Sequence, residues 1–134
     1  MSTTTPVMYA GFNPCTEEPF TGNGTAHMVI TDSVSASGNI EFHLDVRLDG
    51  LKAVGTLSGK KYVVQDSFNW QFSFSKASEE TFAVVAHYVR VGEDGTLVLG
   101  DDFYEYLKTH ITANANGMIT AFQVSSNDLP DSCQ

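Results

Sequence analysis

Residues 40 to 49 alternate without a break: Ile40, Phe42, Leu44, Val46 and Leu48 are apolar, and every residue between them is polar. Side chains on an extended strand switch faces at each residue, so this segment predicts a strand with one buried and one wet face. Phe68, Trp70, Phe72 and Phe74, spaced by Asn69, Gln71 and Ser73, repeat the pattern. A weaker alternation runs over residues 20–31, where Gly22 and Gly24 mark a bulge or a close approach of another backbone. The strip from Phe82 to Val91 is apolar on both faces, which predicts cover by the N-terminal segment or by a second copy of the chain in a homodimer.

Turn signals separate the runs. Asp49-Gly50, Ser58-Gly59-Lys60, Asp94-Gly95 and Asn116-Gly117 each predict a change of direction, the last as a type I′ hairpin. Further strand character lies at 51–57, 61–65, 97, 103–112 and 118–125. Residues 1–18, punctuated by Pro6, Gly11 and Pro14, read as an irregular segment. The sum is about eight strands joined mostly by short hairpins, with no helix longer than a turn. That predicts an all-β fold, a single antiparallel up-and-down β-barrel spanning residues 1–134, with a β-sandwich as the alternative.

Composition narrows the partners. With 7 Lys and Arg against 16 Asp and Glu, the formal charge is −9. Such a chain repels phosphate backbones, so no nucleic-acid partner is expected, and anionic membranes are disfavoured for the same reason. No apolar run approaches the roughly 20 residues a membrane-spanning helix needs. The N-terminus has no basic region followed by an apolar one, so the chain reads as cytoplasmic, or as secreted with its signal already removed. The 2 cysteines, Cys15 and Cys133, stand near opposite ends of the chain. First and last strands of a barrel are neighbours, so the two can meet in a disulfide; two free thiols are the alternative.

Candidate chemistry is sparse. No nucleophile elbow, phosphate loop or His-x-His ligand pair occurs, and neither a metal nor a cofactor is expected. The acidic group Glu93, Asp94, Asp101, Asp102 and Glu105 lacks the ligand order of an EF-hand. His43 lies on a polar face and His87 among valines, both bland settings. His110 shares a face with Tyr104, Tyr106, Lys108 and Thr112, a strip suited either to lining a half-polar cavity or to an exposed outer face. If acid–base catalysis occurs, His110, Tyr106, Glu105 and His27 are its candidates, with Asp45 a further carboxylate. A carboxyl group among aromatics has a raised pKa, as a general acid requires. Phe42, Trp70, Phe72, Tyr88 and Tyr104 are the candidate ligand-binding residues: in so small a barrel the core side chains also line any pocket.

The stretch Asn13-Pro14-Cys15-Thr16-Glu17-Glu18-Pro19 with Gly24-Thr25-Ala26-His27, then Ser58-Gly59-Lys60-Lys61-Tyr62, His110-Ile111-Thr112-Ala113-Asn114-Ala115-Asn116-Gly117 and Cys133, resembles a family of small bacterial proteins without assigned function. That resemblance implies a disulfide and extracytoplasmic ancestry. The chain departs from it at Tyr106, where a histidine is expected. In fold it is similar to lipocalin-like and allene-oxide-cyclase-like barrels, a likeness that carries no chemistry by itself. Two functions follow as expectations. One is a barrel enclosing a small, largely apolar molecule, as a carrier or as a cofactor-free cyclase or isomerase. The other is a non-enzymatic extracytoplasmic binding or interaction module.

Overall fold

Eight strands follow one another along the chain: β1 (Ser2–Asn13), β2 (Glu18–Val34), β3 (Ile40–Gly55), β4 (Lys61–Val64), β5 (Phe68–Phe74), β6 (Ser78–Val91), β7 (Leu97–Ala113) and β8 (Ile119–Cys133). They come from a computed structural model that describes residues 1–133. All pairings are antiparallel and run in chain order, β1-β2-β3-β4-β6-β7-β8. β4 and β5 both lie against β3, β4 on residues 52–54 and β5 on residues 42–48. They therefore share one position around the barrel. Only β4 carries the ladder on to β6. The expected antiparallel barrel of about eight strands is thus present, its eight strands filling seven positions around the wall.

That odd number matters at the closure. Six antiparallel steps separate β1 from β8, so the two run parallel where they lie side by side. Among the described residues no ladder joins them, and the sheet is a nearly closed barrel with one unsealed seam. Pro6 contributes to this. The Met1 and Ile30 backbones exchange both their hydrogen bonds, so in register the odd residues of β1 point N–H and C=O at β2. Even residues point the other way, toward β8. Pro6, with no N–H, sits on that seam edge, where a strand tolerates proline.

Residues 1–18, expected to be irregular, contain β1. Val7 and Tyr9 face inward and are buried, while Pro6 and Met8 face out. Asp49-Gly50, expected to turn the chain, instead lies within the single long strand β3. Gly50 has φ +61° and forms a bulge, so the buried positions shift from Leu44, Val46 and Leu48 to Leu51, Ala53 and Gly55. Two glycines face aromatic partners directly across the β1–β2 ladder: Gly11 lies under Phe20, and Gly22 under Tyr9. A β-carbon at Gly22 would fall 2.3 Å from the Tyr9 ring.

The interior is filled by side chains. At one end Tyr88 and Phe103 stack in parallel at 4.7 Å, and Phe20 lies 5.5 Å from each. Toward the other end Leu44, Val46, Phe74, Met28, Ile111 and Ala113 form a second cluster. Cys15, just past β1, and Cys133, ending β8, are at disulfide distance: Sγ to Sγ 2.17 Å, Cα to Cα 5.3 Å. The pair ties together the C-terminal ends of the two strands that no ladder joins.

Candidate functional site

The sheet separates the expected site residues by face. On β7 the inward set is Phe103, Glu105, Leu107, Thr109 and Ile111, all at 0% exposure. Tyr104, Tyr106, Lys108 and His110 alternate with them and face outward, Tyr106 at 39% exposure. The Tyr104–His110 strip is therefore an outer face, while Trp70 and Phe72 point inward, so they do not line one common cavity.

Each outward histidine is tied to a neighbour. His110 Nδ1 is 2.9 Å from Thr81 Oγ1, and its Nε2 is 3.3 Å from Glu79. His27 Nε2 is 3.3 Å from Asp49, which Arg47 also holds at 2.9 Å. His87 lies 2.8 Å from Asp102 and stacks on Tyr104 at 4.4 Å. His43 meets Ser73 at 3.1 Å, and Asp45 accepts hydrogen bonds from Asn69 and Gln71. Among the described residues no three His, Cys, Asp or Glu side chains converge on a metal position.

Inside the barrel lies a polar cluster. The Tyr9 and Tyr88 hydroxyls are 2.5 Å apart, both buried. Burial pushes the Tyr9 phenol up to about 12, partly offset by the Tyr88 hydrogen bond. Burial likewise raises Tyr88, and the charges of Tyr9 and Glu105 add to it. Glu105 therefore belongs to a packed interior with Tyr88, whereas Tyr106 and His110 stand on the other side of the sheet. His27 is on the outer face of β2. The acid–base candidates are not brought together.

Of the expected ligand-binding residues, Phe42, Trp70 and Phe72 do cluster. Trp70 stacks on Phe82 at 5.2 Å and on Phe68 at 6.4 Å; Phe72 lies 5.8 Å from both Phe74 and Phe82; Phe42 stacks on Phe74 at 5.4 Å. β5 and β6 share no ladder in the described residues, so these rings cover that part of the wall.

The opening with the most distinctive lining lies at the β8–β1 seam, and no sequence motif points to it. A slot of about 560 Å³ is lined by Pro6, Met8, Thr81, Lys108, His110, Gln123 and Ser125, which face outward, and by Val7, Phe122 and Val124, which face inward. The opening lies on the outer side of β6, β7, β8 and β1, and the inward-facing Val7, Phe122 and Val124 contribute to its lining where β8 meets β1. Its floor is apolar and belongs to the core cluster. Its rim is polar apart from Pro6 and Met8, the latter 81% exposed. Thr109, buried directly opposite Val124 on the next strand, has a hydroxyl with no hydrogen-bond partner among the described residues. The signal in the sequence was Pro6 beside Val7 and Tyr9; the odd number of strand positions appears only in the fold. Comparison with protein-family models, curated proteins and solved structures finds no match to this chain, so the site stands on its geometry.

Proposed function

We propose that this barrel binds a small, largely apolar molecule, and that the guest is received in the slot at the β8–β1 seam. The observation that carries the reading is the slot's lining: Val7, Phe122 and Val124 form an apolar floor within a wall where no ladder has to break. Its size falls within the roughly 300–1,000 Å³ of ordinary ligand pockets. Pro6 disfavours the other use of such an edge, addition of a peptide strand, because the position that faces an incoming strand has no donor. Binding is the whole of this reading, since Glu105 lies inside the barrel while Tyr106, His110 and His27 face outward.

Titration of the ¹⁵N-labelled chain with 1-decanol tests it. Amide shifts centred on Val7, Phe122 and Val124 are expected; no saturable shifts, or shifts confined elsewhere, would overturn it. A second reading, an interaction module, rests on the outer face of β6 and β7, where the cross-strand pair Val85 and Tyr106 is 45% and 39% exposed beside Ala83. If that face joins two chains, sedimentation will show a dimer that Val85→Glu dissolves.

A further inference from the structure

Lys108 is the rim residue whose charge has no local answer. Its cross-strand neighbours are Ala83 and Ser125, and the residues flanking these on the same face are Thr81, Val85, Gln123 and Asn127. Along its own strand the outward neighbours are Tyr106 and His110. None of these eight carries a carboxylate, and Lys108 enters no ion pair among the described residues, although Asp and Glu outnumber Lys and Arg by 16 to 7. No lysine enters an ion pair among the described residues, whereas both arginines do, Arg47 with Asp49 and Arg90 with Asp101; Lys108 is the lysine that lines this slot. An unanswered ammonium above an apolar floor suits a guest with one negative end.

We propose that the seam slot selects an amphipathic monocarboxylate. Its carboxylate is held at the rim by Lys108, with the Ser125, Gln123 and Thr81 side chains as further polar neighbours, and its apolar part lies on Val7, Phe122 and Val124. A hydrogen bond between an ammonium and a carboxylate is stronger than one between neutral groups, so the head group sets the preference and the floor supplies the bulk of burial. A single charge fits better than two. Glu79, 3.3 Å from His110 Nε2, places a carboxylate on that side of the rim and would repel a dianionic phosphate. The inference rests on the proposed small-molecule function and specifies its ligand class.

Decanoate and 1-decanol, which share a ten-carbon chain and differ in charge, separate the two ideas. Both are titrated by amide shifts into the full-length chain and into Lys108→Met. The expected result is that the native chain holds decanoate about tenfold more tightly than decanol, and that Lys108→Met removes the preference by weakening decanoate far more than decanol. Lys108→Glu should push decanoate below decanol. Equal binding of the two probes by the native chain, or equal weakening of both by Lys108→Met, would overturn the carboxylate assignment and leave the apolar site standing. Failure of both probes to bind would overturn the site as well.

Discussion

Replacing Tyr88 by phenylalanine removes one hydroxyl from the barrel interior and leaves another stranded. The Tyr9 and Tyr88 oxygens are 2.5 Å apart, with the residues 7% and 0% exposed, so water cannot take the missing partner's place. An unsatisfied buried hydroxyl costs about 1–3 kcal/mol. Near the midpoint, each kcal/mol lowers Tm by roughly 3–5 °C for a domain of this size. Tyr88→Phe should therefore melt about 3–15 °C below the native chain. Tyr9→Phe strands the opposite hydroxyl and should behave similarly. The double variant removes both groups, so its loss should be clearly smaller than the sum of the two single losses. Urea unfolding followed by circular dichroism supplies the four free energies. Strict additivity, or a single variant as stable as the native chain, would refute the claim that the two hydroxyls depend on each other.

Reduction of the Cys15–Cys133 pair, or Cys133→Ala, should lower stability by roughly 4–5 kcal/mol, since the bridge closes a loop of 118 residues; calorimetry with and without reductant measures it. Gly22→Ala should cost about 1–3 kcal/mol through overpacking against Tyr9, whereas Gly38→Ala, with open space around it but φ +86°, should cost less, about 1–2 kcal/mol; chemical denaturation compares them. In alkali the folded Tyr9 keeps its proton up to about pH 12, while an unfolded tyrosine loses it near 10.0. The resulting stabilisation is complete below pH 10 and disappears as pH rises toward 12, so the urea midpoint should fall across that window, with less of a fall in Tyr9→Phe.

Much of the fold is legible because alternation records faces directly. Residues 40–49 lie in β3 and residues 68–74 form β5, and apart from Ile40, 50% exposed at the start of its strand, their apolar positions point inward as the pattern says. Asp49-Gly50 was less readable for a physical reason: positive φ at a glycine serves a hairpin turn and a bulge equally well, and only the partner strands decide which forms. Pro6 and Gly11 look like breakers when the chain is read locally. In the fold, Pro6 loses nothing because its nitrogen faces the unladdered seam, and Gly11 makes room for Phe20.

The candidate site was the least legible part. Tyr104, Tyr106 and His110 look equally suited to a cavity or to an outer face, because amphipathic side chains serve both. The alternating set takes the interior because Phe103, Leu107 and Ile111 are wholly apolar, and it carries Glu105 and Thr109 inward with them. The slot joins residues 6–8 to residues 122–125, and no local pattern encodes a gap between the two ends of a sheet. The odd number of strand positions, which brings the first and last strands together in parallel, arises only because β4 and β5 share one place beside β3, and no turn signal records that.

Amide hydrogen exchange along β1 tests the unsealed seam most directly. The account predicts alternation: Thr5 and Val7, whose N–H groups point at β2, exchange slowly, while Thr4 and Met8, pointing at the seam on either side of Pro6, exchange much faster. Uniform protection across residues 4–8 would mean that β8 and β1 are joined by a ladder, and would contradict the open seam on which the proposed site depends.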